Sequence, residues 1–459
     1  MIQMILFYIV FILSSIPMFL PGVRENIILL ILHVSLTLIS SLSLFIYRNR
    51  PYSLYKIIHL FFLFFICIAP ILQYKNEISF WDGRIFTEIE YICTSFTLLC
   101  IIIFYNLFYY VIDNRSKNHV IKKIFKKTSS SFVSKRTLST KEFCIFFCIG
   151  VVILLCVLYL NKFNLFYIFF RGGVSEEDSQ LLENLEVNIP QSVSLIIVNF
   201  LKPMSVVLFL TTYKLKANKI QIAIMGILML LIAFPTSMPR FSAAAMYIPV
   251  LLTFSKKLRK PNYFVFLFVL GLLVIFPFLN NFRYVTSNTT FEVGLNFDMF
   301  LESHFDSYSS FVYVLSDNIL TFGNQLLGCI FFWLPRSIWS SKPIGSGAFI
   351  ADEVNLNWTN ISCCYFAEGY INYGFFGILL FTIFIAWFSA SFDKIYWESK
   401  YSKRYNYFFE LIYFLLLGLI FFMMRGDLLS SFAFTIGFVS SAISVYLMIL
   451  FIRKYSIVF

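Results

Sequence analysis

The chain has 459 residues, of which 59% are hydrophobic and only 13% are charged. A soluble globular protein carries about 25% charged residues, so this composition excludes that class. A bilayer-embedded backbone must satisfy its own hydrogen bonds, and the apolar runs are long rather than alternating. The composition therefore predicts an all-α polytopic membrane protein.

The net charge of +12 does not indicate a nucleic-acid partner. The Lys and Arg residues cluster in short segments between apolar runs, which is typical of a membrane-orientation signal. The nine Cys and four His show no zinc-ligand spacing, and no phosphate-binding glycine loop or nucleotide fingerprint occurs. The sequence therefore predicts neither a metal nor a cofactor.

Apolar windows of about 20 residues predict about twelve transmembrane helices in a single integral membrane domain, 1–459. The expected spans are 3–21, 27–47, 57–73, 86–112, 142–161, 191–213, 219–235, 240–255, 262–281, 374–392, 407–424 and 428–452.

Basic residues set the expected orientation. The segment 113–141 carries nine Lys and Arg residues against one acid, so we expect it to be a cytoplasmic loop. With twelve spans, the other basic loops and both termini fall on the same side. The opposite side then holds an acid-rich loop at 161–191 and a large loop at 281–373.

The large loop is the expected site of the chemistry. Its part 298–333 has helix-like spacing of aromatic and apolar residues, which predicts short membrane-surface helices. Its later part places Arg, Lys, Trp and Glu next to hydrocarbon within 334–374. Charged groups at such positions are usually functional, so we expect this loop to carry most of the active site.

Arginines recur at the outer boundary of the predicted spans. Guanidinium groups bind phosphate in a bidentate manner and never lose their charge, so a group of them predicts a site for a lipid phosphate or pyrophosphate. The alternative is ordinary snorkelling of each side chain to lipid headgroups. The candidate pyrophosphate-binding residues are Arg240, Arg283, Arg336, Lys342 and Arg425.

Carboxylates near these cations are candidate general bases. Glu368 stands a few residues before a predicted span and is the first candidate, with Asp427 as the second. The alternatives are a helix-end charge for Glu368 and an ion pair with Arg425 for Asp427. His304, flanked by acids, and Lys202, which precedes a proline inside a span, have no assigned role.

Four segments together carry a resemblance to a known family. They are the turn 235–240 ending in an arginine, the stretch 335–343, the stretch 367–374 and the motif 424–427. With the large outer loop and the number of spans, they resemble the Wzy-type O-antigen polymerases. The motif-level likeness is confined to about 60 residues between 233 and 427, whereas the layout covers most of the chain.

The resemblance implies an all-helical, GT-C-like glycosyltransferase of the bacterial inner membrane, with a periplasmic site and cytoplasmic termini. Such an enzyme transfers a growing glycan from undecaprenyl pyrophosphate onto the next lipid-linked repeat unit. Its implied partners are that lipid-linked oligosaccharide as donor and acceptor, membrane lipid and a chain-length regulator protein. Fixed arginines would stabilise the leaving pyrophosphate, and a carboxylate would accept the acceptor's proton.

Two other functions stay open at this point. An O-antigen ligase, which transfers glycan to the lipid A core, would share the arginines and topology but usually favours a catalytic histidine in the large loop. Only His304 is available there. A flippase or transporter of the same lipid-linked unit should show internal repeats and charges spread through the spans.

Overall fold

The computed structural model describes residues 2–115, 137–170, 191–275, 297–401 and 407–455. These ranges are all-helical, without a β-strand, and nine of their helices are long and apolar enough to cross a membrane. The prediction of an all-α polytopic membrane protein is therefore confirmed.

The helices are numbered in chain order. They are α1 (Met4–Phe19), α2 (Ile27–Ile46), α3 (Leu54–Lys75), α4 (Glu88–Asn114), α5 (Thr140–Leu160), α6 (Val193–Lys214), α7 (Lys219–Ser237), α8 (Arg240–Phe254), α9 (Tyr263–Val274), α10 (Ser307–Ser316), α11 (Asn324–Ile330), α12 (Ser346–Glu353), α13 (Tyr365–Tyr401), α14 (Tyr407–Arg425) and α15 (Leu428–Lys454).

The count of twelve spans stays a prediction. The nine candidate spans are α2 to α7 and α13 to α15. The three remaining predicted spans correspond to α1, α8 and α9, which are apolar but shorter than 18 residues within the described ranges.

Helix α3 forms the centre of the bundle. Its whole apolar window is buried by protein, whereas only 22% of the α5 window is buried. A span that faces lipid keeps apolar side chains exposed, so α3 must be surrounded by other helices. It packs against α2, α13 and α14.

A buried aspartate holds the start of α3. Asp393 of α13 accepts hydrogen bonds from the backbone N–H groups of Leu54 at 2.8 Å and Tyr55 at 3.2 Å. It also accepts from the hydroxyls of Tyr109 at 2.8 Å and Tyr413 at 2.5 Å. The first N–H groups of a helix have no intrahelical partner, so this carboxylate satisfies donors that would otherwise be buried unpaired.

Ion pairs join several helix ends on the same side of the bundle, which we call the basic end. They link the α2–α3 turn to α4, α6 to α14, and α15 to α5. The sequence assigned these ends to one side of the membrane, and in the structure they meet. The pairs are Arg50–Asp113 at 2.8 Å, Lys214–Glu410 at 2.7 Å and Arg453–Glu142 at 2.7 Å.

The expectation of surface helices in the large loop needs correction for α10. This helix is buried between α4 and α13 rather than lying on the surface. The Tyr308 hydroxyl donates to the Tyr91 carbonyl at 2.9 Å and lies 2.7 Å from the Ser95 hydroxyl. A helix whose polar groups find partners inside the bundle can be inserted there without unpaired donors.

Helix α13 contains a sharp reversal. Tyr373 and Gly374 leave helical geometry, and Gly374 has φ of 61°, a conformation that favours glycine. The preceding residues 365–372, here called the fold-back segment, run back along the span. The Tyr365 hydroxyl donates to the Phe381 carbonyl at 3.3 Å, although these residues would be about 24 Å apart in a continuous helix.

Labelling tests the assignment of loops to sides. We replace Lys257, at the basic end, or Ser340, in the large loop, by cysteine in a chain whose native cysteines are substituted. Both positions are exposed. A membrane-impermeant maleimide applied outside intact cells should label Ser340→Cys and not Lys257→Cys. Labelling of both from outside, or of Lys257→Cys alone, would contradict the predicted topology.

Candidate functional site

The turn between α14 and α15 carries the candidate residues Arg425 and Asp427. Asp427 begins α15 as its N-cap, because its Oδ1 accepts the backbone N–H of Ser430 at 2.9 Å. Its side chain is partly exposed. The turn therefore presents a guanidinium and a carboxylate two residues apart at the end opposite the basic end.

Glu368 lies beside the same turn, but it is buried. It belongs to the fold-back segment, and only 1% of it is exposed. Its Oε1 accepts the backbone N–H of Leu428, the first residue of α15, at 2.7 Å. The reversal at Gly374 turns Glu368 inward, beside the start of another helix, where it satisfies an end donor.

Two adjacent residues at the start of α12 connect the carboxylates. The Ser346 hydroxyl donates to Oε2 of Glu368 at 2.8 Å. Gly345 is so close to Asp427 that a Cβ added there would lie 3.0 Å from Oδ1. The structure thus brings the two sequence-predicted carboxylates together, with both oxygens of Glu368 already occupied.

Burial changes the protonation behaviour of the groups around this pair. Burial raises the pKa of Asp427, although N–H groups at the start of α15 oppose the shift. Burial also raises the pKa of the Cys329 thiol to about 12, and the negative charges of Glu368 and Asp427 add to that shift. A carboxyl with a raised pKa is a stronger base than an exposed aspartate.

Asp306 is a site residue that the sequence reasoning did not select. It is 2% exposed, and its Oδ2 accepts the backbone N–H of Ser362 at 2.8 Å. Its Oδ1 lies 3.5 Å from the Arg425 guanidinium. This pair is longer than a charge-assisted hydrogen bond of about 2.8 Å. The only sequence signal was an acid at the start of an aromatic helical stretch, which alone does not identify a site.

Arg336 and Lys342 are bound within their own loop. Arg336 donates to the carbonyls of Lys342 at 2.6 Å and Pro343 at 3.1 Å. The Lys342 ammonium donates to the carbonyls of Phe332 at 2.6 Å and Leu334 at 2.9 Å. Burial, followed by the Arg336 charge, lowers the pKa of Lys342. These two cations stabilise a loop turn, and their contacts do not extend to Arg425.

Arg240 is placed at the same end of the bundle as Arg425. It begins α8, and its neighbour Phe241 stacks on Phe422 of α14 at 3.7 Å between ring centroids. Phe422 precedes Arg425 by one helical turn. Arg283 lies outside the described residues.

The two residues without an assigned role have distinct surroundings. His304 lies 3.8 Å from the carboxylate of Glu302. Lys202 is 7% exposed in the middle of α6, where residues 197–201 form a π-helical turn before Pro203. The helix is therefore irregular next to Lys202, and the lysine lies inside the bundle.

One cavity borders Asp306, and a second cavity shares two of its lining residues. A void of about 10 Å³, the size of one water, is lined by Asp306, Trp81, Arg84 and Tyr313, among others. Arg84 and Tyr313 also line an open cavity of about 330 Å³. The other polar residues of that cavity are Asp82, Asp317 and Glu353.

No protein-family model matches the sequence, and comparisons with curated proteins and with solved structures find no significant match. The site is therefore described by its own geometry alone.

The Asp427 cap allows a stability test. Asp427→Asn should fold normally because Asn caps helices as well as Asp, whereas Asp427→Ala should lose about 1 kcal/mol. Burial raises the pKa of Asp427, so ionisation lowers the stability of the wild type as pH rises from about 4 through the folded pKa. Thermal unfolding in detergent should therefore show Asp427→Asn gaining on wild type between pH 4 and pH 8. The opposite trend would mean that the ionised carboxylate is stabilised.

Proposed function

We propose that the chain is a glycosyltransferase that polymerises lipid-linked repeat units, using a donor activated by lipid pyrophosphate. The observation that carries this proposal is the turn Arg425-Gly426-Asp427. It places a loosely paired guanidinium and a partly exposed carboxylate of raised pKa two residues apart at a membrane-span end. Transfer of a glycosyl group from pyrophosphate needs a fixed cation and a base.

Arg425 supplies the cation in this proposal. Its pairing with Asp306 at 3.5 Å positions the guanidinium without using all of its donors. Nε is buried and has no hydrogen-bond acceptor among the described residues, so a ligand would approach the terminal nitrogens. Its side chain remains 29% exposed. A phosphate oxygen can therefore approach the rest of the fork, where the developing charge of the leaving group is stabilised.

Asp427 is the better placed of the two carboxylates to act as the base. Glu368 is buried, and both its oxygens accept hydrogen bonds, from Leu428 and from Ser346. Asp427 is partly exposed in the same turn as Arg425. In this proposal Asp427 accepts the proton of the acceptor hydroxyl, while Glu368 positions the start of α15 and Ser346.

The open cavity supports a saccharide substrate. Its volume of about 330 Å³ accommodates a sugar residue, and its walls offer carboxylates, Arg84 and the ring of Tyr313. Sugar hydroxyls bind polar side chains, while an aromatic ring packs on the apolar face of a sugar. The shared residues Arg84 and Tyr313 connect the cavity to the void beside Asp306, and through Asp306 to Arg425.

Carboxylate variants test the assignment of the base. In a strain lacking the native gene, Asp427→Asn should leave lipopolysaccharide carrying a single repeat unit, because losing a general base costs about 10² to 10⁴-fold in rate. Glu368→Gln keeps the shape of the side chain and one acceptor oxygen but loses the other acceptor. We therefore expect a shortened glycan ladder rather than a single repeat unit. The measurement is the glycan ladder on a gel, with membrane protein levels as the control.

A full ladder from Asp427→Asn would exclude Asp427 as the base. If the strain lacking the gene has bare lipid A core and long lipid-linked polymer, the chain is a ligase. If that strain exports no lipid-linked units, the chain is a transporter.

Arginine-to-lysine changes test the phosphate contact. Arg425→Lys keeps the charge opposite Asp306 but loses the fork, so we expect nearly the same loss of long glycan as in Arg425→Ala. The matched control is Arg24→Lys. Arg24 pairs with Glu77 at 2.6 Å and is also 29% exposed, but it lies outside the site. Arg24→Lys should leave the glycan ladder intact. A normal ladder from Arg425→Lys would reduce Arg425 to a structural ion pair.

A further inference from the structure

A second cavity lies at the basic end, opposite the candidate site. It is open, measures about 360 Å³, and separates the α2–α3 turn from the last turns of α13. The residues that line it are Ile46, Tyr47, Arg48, Asn49, Arg50, Trp397, Glu398 and Tyr401.

The wall formed by the α2–α3 turn is held in place. The backbone N–H of Arg48 donates to Ile46 at 3.0 Å, and that of Arg50 donates to Tyr47 at 3.1 Å. The Arg50 guanidinium donates to both oxygens of Asp113, at 2.8 Å and 3.1 Å. Arg50 is therefore held in place and fixes the turn. Arg48, two residues earlier, is exposed and forms no ion pair with a described carboxylate.

The opposite wall is aromatic and lies at headgroup depth. Residues 375–401 of α13 are about 40 Å long, which exceeds the roughly 30 Å thickness of the hydrocarbon core. The last turns therefore reach the interface, where Trp and Tyr are enriched. The rings of Trp397 and Tyr401 lie 5.8 Å apart, and the Tyr401 hydroxyl donates to the Asn49 carbonyl. Trp397 is 4% exposed, and its Nε1 has no described hydrogen-bond partner.

An apolar stripe on α2 leads to the cavity. Leu38, Leu42 and Ile46 are 39%, 44% and 62% exposed. Their spacing of four residues places them on one face of the helix, one above the other. The stripe ends at Ile46, which is itself part of the cavity wall. An acyl chain lying along this stripe would bring its headgroup to Arg48.

We propose that this cavity binds the headgroup phosphate of a membrane phospholipid, with an acyl chain along the Leu38–Leu42–Ile46 stripe. Arg48 supplies the charge for the phosphate, and Arg50 with Asp113 keeps the turn rigid. The aromatic wall contacts the glycerol region. A snorkelling arginine needs no cavity beside it, whereas here the charge, the open cavity and the apolar stripe coincide. The inference does not depend on the proposed function.

Native mass spectrometry of the purified chain tests the site. The protein is titrated with phosphatidylglycerol, phosphatidylethanolamine, diacylglycerol and inorganic phosphate. We expect both phospholipids to bind to wild type, and Arg48→Gln to weaken that binding about tenfold, the effect of losing a charge-assisted hydrogen bond. Arg48→Lys should lose less, and diacylglycerol should bind weakly to all forms.

The matched control is Lys257→Gln, which removes an exposed charge at the same end of the bundle but outside the cavity. It should bind phospholipid like wild type. An equal loss in Lys257→Gln would reduce the effect to diffuse charge. Equal binding of diacylglycerol would show that phosphate is not recognised. Arg48-dependent binding of inorganic phosphate without phospholipid would assign the site to a free anion. Each of these results overturns the proposal.

Discussion

The hydrogen bond from the Leu428 N–H to the buried Glu368 carboxylate constrains this whole end of the molecule. A carboxylate removed from water must be hydrogen-bonded, and the start of a helix offers unpaired donors. Glu368 reaches α15 only because the chain reverses at Gly374, and its second oxygen fixes Ser346 of α12. The fold-back segment, α12 and α15 are thus arranged around one acid, and this arrangement places Asp427 beside Arg425.

A buried carboxylate also accepts the first N–H groups of a helix at the basic end. Asp393 accepts the N–H groups of Leu54 and Tyr55 at the start of α3, as Glu368 accepts that of Leu428 at the start of α15. Both acids are buried, so burial of a carboxylate inside the bundle does not identify a reactive group here. What distinguishes the end opposite the basic end is its setting, since among the described residues a partly exposed acid shares a turn with a loosely paired arginine there. Asp393 instead connects α3, α4, α13 and α14 through its hydrogen bonds.

Hydropathy predicted most of the helices because the bilayer imposes a length and an apolar composition on every span. Glu368 and Asp427 were selected from the sequence because ionisable groups beside hydrocarbon are rare, whereas their proximity comes from the structure. The reversal at Gly374 was not predicted, because an apolar run that folds back has the same composition as one that continues. The role of Asp306 was missed for a similar reason, since one acid before an aromatic stretch has no distinctive pattern. The partners of Arg336 are backbone carbonyls, which no sequence pattern encodes.

Structural and candidate functional arginines differ in how many of their guanidinium N–H groups already donate hydrogen bonds within the protein. Arg50 donates to both oxygens of Asp113 at 2.8 Å and 3.1 Å, and Arg336 donates to two carbonyls of its own loop. The other terminal nitrogen of Arg50 donates to the Tyr109 hydroxyl, so both terminal nitrogens of each arginine are engaged and leave little for a ligand. Arg425 faces Asp306 at 3.5 Å and forms no side-chain hydrogen bond among the described residues. An arginine held in place but not saturated is the arrangement that an arriving phosphate requires, because the anion can then complete the fork without first breaking a strong pair.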